Sequence, residues 1–146
     1  MDSPNIKATV VREYPVSPLR VFNAWLDTNS IGHWMFGPEV RDEEIVSLGL
    51  DPRVGGGFSF VVRRDGDEVD HVGEYLVIEP PKRLAFTWGV RQDGPARSVV
   101  MVKIDPAGDG CVLTLTHELH PDWAHFKERV EAAWSLMLNA LAKTLK

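Results

Sequence analysis

Apolar and polar positions alternate from the start of the chain. Ile6, Ala8 and Val10 alternate with Lys7, Thr9 and Val11, which predicts a first strand ended by Pro15. Ser17-Pro18 reads as an N-cap followed by proline at the first helical position, and Val21, Phe22, Trp25 and Leu26 follow at helical spacing. Asp27-Thr28-Asn29-Ser30 breaks that helix and starts a second short one through Ile31 and Trp34, which Gly37-Pro38 ends.

The grammar then changes to strands and turns. Ile45, Ser47 and Gly49 begin a weak strand that turns at Asp51-Pro52. Phe58, Phe60 and Val62 alternate with polar or outward positions up to the Asp65-Gly66 hairpin signal. The run Val69 to Ile78 closes at Glu79-Pro80-Pro81, and Leu84, Phe86 and Trp88 alternate up to the turn Asp93-Gly94-Pro95. Ser98 to Ile104 and Cys111 to Leu119 flank Ala107-Gly108-Asp109-Gly110. Short turns between such strands predict an antiparallel meander rather than parallel βαβ units.

The last segment carries the clearest period. Phe126, Val130, Ala133, Trp134, Met137, Leu138, Leu141 and Leu145 share one helical stripe. With Asp122 as N-cap, a helix from about Trp123 to Leu145 would be roughly 34 Å long. So long an apolar stripe must lie on something, and the concave face of a curved sheet is the one partner large enough. The expected class is α+β.

Composition narrows the function. The chain has 146 residues, 44% of them hydrophobic and 25% charged, which suits one globular domain spanning residues 1–146. A formal charge of −5 argues against unspecific nucleic-acid or anionic-lipid binding. Cys111 is the single cysteine, so no intrachain disulfide and no cysteine-based zinc cluster is expected. No apolar run approaches the roughly 20 residues of a membrane span. The polar stretch Met1 to Lys7 does not read as a signal peptide, so the expected location is cytoplasmic. Five tryptophans against two tyrosines point to a densely aromatic core or an aromatic-lined cavity.

Element order and local motifs together resemble the helix-grip fold of the START, SRPBCC and Bet-v-1-like superfamily. Four segments resemble its branch named for the activator of heat-shock-protein-90 ATPase homologue. They are Val16 to Leu26, Trp34 with Gly37-Pro38, Asp51 to Phe58, and Gly73-Glu74-Tyr75 leading into Pro80 to Trp88. Where that family has glycine before the tryptophan of the last helix, this chain has Ala133-Trp134, so ligand identity is not carried over. The resemblance implies a curved antiparallel sheet wrapped around a long C-terminal helix. It also implies a hydrophobic or polycyclic small-molecule ligand between them, in a carrier, sequestration, natural product resistance or sensing role.

Trp34, Phe58, Phe60, Tyr75, Trp88, Met101, Trp134 and Met137 are expected to face that interior. Each alone is ordinary core packing, but together they suit an apolar pocket. His117 ends a strand expected to line the pocket mouth, where it would orient a polar ligand or act as a base; the plainer alternative is a partly exposed histidine. Only Trp88 and Trp134 among the tryptophans are expected to face a ligand, with Trp25 a core anchor of the first helix.

Other clusters carry less. His117, His120 and His125 lack metalloprotease spacing and lie on an extended strand end that scatters them, so no metal is expected. Asp65, Asp67, Glu68 and Asp70 with His71 read as a solvated hairpin tip. Glu74 and Arg97 are further polar candidates on strands of unknown register. Arg53-Val54-Gly55-Gly56-Gly57 reads as a backbone device rather than a phosphate cradle, lacking the Lys-Ser/Thr ending and a following helix. No Gly-x-Ser-x-Gly elbow or local cysteine signature exists, no cofactor is implied, and nothing demands an enzyme. A polyketide cyclase or aromatase using the same cavity is the first alternative. The second is an interaction module that stimulates a chaperone ATPase. A filled interior would favour that module, whereas a titratable group within a ligand's reach would favour the enzyme.

Overall fold

The computed structural model describes residues 6–41, 43–94 and 97–145. Strand β1 (Ile6–Tyr14) leads into α1 (Pro18–Ala24) and α2 (Thr28–Trp34). The Ser17 hydroxyl accepts from the Arg20 amide at 3.3 Å, and the Asp27 carboxylate accepts from the Asn29 amide at 3.0 Å. Both are side-chain caps on otherwise orphaned helix donors. The chain then runs through β2 (Glu44–Leu50), β3 (Gly57–Arg64), β4 (Asp67–Glu79), β5 (Arg83–Val90), β6 (Ser98–Ala107) and β7 (Gly110–Leu119) to α3 (Lys127–Thr144).

The strands form an antiparallel seven-stranded sheet in the order β1-β7-β6-β5-β4-β3-β2. This is the α+β, helix-grip-like architecture expected from the pattern, with α3 laid across the sheet. Tyr14 on β1 donates its hydroxyl to the Leu138 carbonyl of α3 at 2.9 Å. The outer edge of β1 would otherwise present unpaired backbone donors. One of them, the Thr9 amide, donates to the Glu131 carboxylate at 3.1 Å, and beside it the Arg12 guanidinium donates to the Asn139 side chain at 2.9 Å.

The terminal helix is shorter than its stripe suggested. Pro121–Phe126 is a 3-10 turn, with Trp123 at φ −104° and ψ 15°, and α3 begins only at Lys127. Asp122 is not its N-cap; the His120 ring instead accepts from the Asp122 amide at 3.1 Å. Phe126, placed on the apolar stripe by spacing, is exposed. Proline at 121 fixes a local turn that spacing further along cannot foresee. From Trp134 onward the stripe is as expected, burying Trp134, Met137, Leu138, Leu141 and Leu145, and Ala140 is buried beside it.

Two glycines place the aromatic face of the sheet. Gly55, at φ +88° in the Asp51–Phe58 turn, takes a backbone conformation that L side chains rarely adopt. Gly73 lies under the Phe58 ring, where a Cβ would come within 2.6 Å of the ring and strike the Thr87 carbonyl oxygen. The bare backbone at Gly73 therefore lets Phe58 lie flat over β4.

Candidate functional site: an aromatic pocket beside a buried histidine relay

Alternation on β3, β4 and β5 turns Phe58, Phe60, Tyr75, Phe86 and Trp88 to the inner face of the sheet. Trp25 at the end of α1, with Ile31 and Met35 on and after α2, closes over them. The rings touch in series. Phe58 lies 4.8 Å from Phe60, 5.6 Å from Tyr75 and 5.8 Å from Trp88, centroid to centroid. Trp25 stacks on Trp134 at 5.9 Å, and Trp134 meets Trp88 at 5.7 Å. The free space these side chains enclose is about 10 Å³, at the threshold for a single water.

One polar atom in this wall lacks a partner. The Trp25 indole Nε1–H is buried and makes no hydrogen bond, alone in this among the buried side-chain nitrogens and oxygens of the described residues. An unpaired buried donor costs about 1–3 kcal/mol. Its neighbour Trp34, 4.6 Å away edge-on, donates to the Ala24 carbonyl at 3.1 Å. The Tyr75 phenol also lines the pocket, and burial pushes its pKa up, so it stays protonated.

Behind Trp134 runs a closed polar chain. Trp134 donates its indole N–H to His117 Nδ1 at 3.0 Å, which leaves the ring proton of neutral His117 on Nε2. Nε2 lies 2.6 Å from Ser98 Oγ and therefore donates to it, and the Ser98 hydroxyl donates onward to the Trp88 carbonyl at 3.1 Å. Every donor has an acceptor. Burial holds the His117 pKa down at about 4. A histidine that activates a serine must accept the hydroxyl proton; here the proton direction is reversed. The relay links α3 to β5, β6 and β7, and its geometry is structural rather than nucleophilic.

Several expectations change. Phe58, Phe60, Tyr75 and Trp88 come together on the pocket wall, with Trp134 against its edge. Trp34 sits behind Trp25, fully buried, and Met137 is packed in the core beneath α3. Met101 points the other way: on β6 the inward residues are Ser98, Val100 and Val102, so Met101 is exposed on the outer face. A one-residue parity error moves a strand side chain to the opposite face. His117 is buried, 4% exposed, and is neither a mouth residue nor a partly exposed one. His71 is not on a solvated tip, since β4 already starts at Asp67. It is buried between Phe36 at 5.2 Å and Trp88 at 5.4 Å, and burial lowers its pKa. Asp70 likewise accepts from Ser59 at 2.7 Å and from Arg91 at 2.8 Å. Glu74 is exposed, and Arg97 donates to the Gly94 carbonyl at 2.7 Å.

Sequence reasoning missed Trp25, Ile31, Met35 and Phe86 as wall residues. Phe86 was within reach, because it shares parity with Trp88. Trp25 was not, because its role depends on how α1 docks. His120 and His125 are separate, the first capping the 3-10 turn and the second 4.0 Å from Phe126. Among the described residues no group of His, Cys, Asp and Glu forms a metal-binding cluster, and no helix is long and apolar enough to cross a membrane.

Comparison with known proteins agrees with this architecture. Over 96% of both chains, protein Mll3558 of Rhizobium loti is 31% identical, with a TM-score of 0.72. Protein CV1439 of Chromobacterium violaceum is 22% identical over 95% of this chain and 96% of its own, with a TM-score of 0.80. An AHSA1-like protein of Aeromonas hydrophila is 21% identical over 96% and 92%, with a TM-score of 0.78. No curated protein matches the chain. The model of the family described as Activator of Hsp90 ATPase homolog 1-like protein matches residues 15–146, and the chain belongs to that family.

Proposed function

We propose that this protein binds a flat, largely apolar small molecule bearing a hydrogen-bond acceptor, at the aromatic pocket between the sheet and the helices. Carriage, sequestration, resistance to a toxic natural product and sensing all use such a site in the same way. The observation that carries the reading is the orphaned Trp25 indole N–H in a wall of stacked rings. A ligand acceptor there would satisfy the donor while its faces stack on Phe58 and Trp88, and such pairing is what fixes orientation in apolar pockets. The pocket has room for only about 10 Å³, so a ligand needs the short α2, which supplies Ile31 and is followed by Met35, to move outward. Tyr75 can donate to a bound ligand but holds its proton too tightly to serve as a base near neutrality, and His117 is committed to its relay. Both facts weigh against a cyclase or aromatase.

The test is a screen of polycyclic, acceptor-bearing aromatic compounds by thermal shift and tryptophan fluorescence. A ligand should raise Tm by mass action and change tryptophan emission, and Trp25→Phe should weaken it while leaving the fold intact. If no compound stabilises the protein, or if Trp25→Phe binds equally well, the proposal is wrong. One observation favours a second reading: the interior is nearly filled, as it would be in an interaction module acting through an outer face. Stimulation of a chaperone ATPase by the protein, unchanged in Trp25→Phe, would select that reading.

A further inference from the structure

The outer face of the sheet, opposite the aromatic pocket, carries a groove of about 460 Å³. Strand register lays its lining out in two parallel rows. One row is Val77, Ala85, Met101 and Thr116, on β4, β5, β6 and β7. The next, two residues along each strand, is Glu79, Arg83, Lys103 and Thr114. Rows so related lie roughly 7 Å apart.

The groove exists because Ala85, the smallest side chain of the first row, lies between Val77 and Met101. Its methyl makes a floor and the larger neighbours make walls, with Met101 36% exposed. A flat ring fits such a slot, and a methionine sulfur at its edge adds a favourable contact. The charged row is unbalanced. Arg83 and Lys103 stand directly opposite each other on adjacent strands, an arrangement that destabilises a sheet when nothing neutralises it. Among the described residues Arg83 makes no ion pair, although Glu79 is its cross-strand neighbour. Among the described residues Lys103 reaches only Asp105, at 3.8 Å, with both side chains mostly exposed. An anion between the two cations would relieve the repulsion, and Glu79 on the flank disfavours a second negative charge.

We propose that this groove is a second ligand site, selective for an aromatic monocarboxylate. Its ring lies over Ala85 between Val77 and Met101, and its carboxylate reaches one row along to Arg83 and Lys103. The site shares no residue with the interior pocket, so the two proposals stand or fall separately.

Methyl-labelled methionine makes the test direct, because Met101 marks the groove, Met35 the interior pocket and Met137 the core beneath α3. Titration with 2-naphthoate should shift the Met101 methyl resonance and leave Met35 and Met137 in place. The neutral 2-naphthamide should bind more weakly. Arg83→Gln and Lys103→Gln, both at exposed positions, should each weaken 2-naphthoate about two- to fivefold, the range for an exposed ion pair. Ala85→Leu, which fills the floor, should abolish the shift. The proposal is overturned if 2-naphthoate moves Met35 or Met137 instead, or if the amide binds as tightly as the acid. Equal binding by the Arg83→Gln/Lys103→Gln double variant also overturns it. So does a Met101 shift that follows protein concentration rather than ligand, because a second copy of the chain would then cover this face.

Discussion

The buried relay makes stability depend on acid in a calculable way. His117 is neutral in the fold because Trp134 donates to Nδ1 and burial penalises the charged ring; its pKa is held at about 4 against an ordinary 6.5. The folded state therefore binds fewer protons than the unfolded state between those values. Its contribution is fully present above pH 6.5, is lost as pH falls towards 4, and changes no further below. Linkage over that window puts the loss at about 2 kcal/mol between pH 7 and pH 5, growing to about 3 kcal/mol by pH 4. The assay is urea unfolding at a series of pH values for the natural chain and for His117→Gln, whose amide oxygen can still accept from Trp134. Both proteins keep the carboxylates and His71, so the difference between their pH profiles isolates His117. The variant should be less stable at pH 7 but should lose about 2 kcal/mol less on acidification to pH 5. Parallel profiles would refute the relay as drawn. So would a His117 ring resonance that titrates near 6.5 in the folded natural chain, a measurement that does not depend on the variant folding.

Other consequences concern the aromatic wall. Gly73→Ala places a methyl against the Phe58 ring and the Thr87 carbonyl, neither of which can retreat. It should cost about 1–3 kcal/mol or more as overpacking, read from the denaturation midpoint. Trp34→Phe removes the bond to the Ala24 carbonyl, whereas Trp25→Phe removes a donor that bonds nothing. Trp34→Phe should therefore be the more destabilising by about 1 kcal/mol or more in thermal unfolding, although both replace a buried indole.

Most of the architecture is legible from local chemistry. Ser17-Pro18 and Asp27 mark helix starts because a side-chain oxygen must meet an orphan amide, and both do so here. Asp65-Gly66 takes positive φ at both residues, as a tight hairpin demands. The stripe from Trp134 to Leu145 needs a sheet to cover it. Such features depend on a few neighbouring residues, and neighbours in sequence are known without the fold.

The site is different, because each of its decisive facts is a relation between distant segments. Trp25 lacks a partner only because α1 docks its ring among Trp34, Trp134 and Phe86. Met101 belongs to the outer face because register with Ala85 and Thr116 decides its parity. His117 reads in sequence as a strand-end histidine, and Ser98 and Trp134 turn it into the centre of a satisfied relay. By itself the sequence determined where α1 and α2 start, how helices and strands alternate, and that an aromatic interior would form between sheet and helix. Tertiary packing alone decided how nearly that interior is filled and which donor is left unpaired. Volume and hydrogen-bond satisfaction are sums over every side chain that meets at a point, and no local pattern contains them.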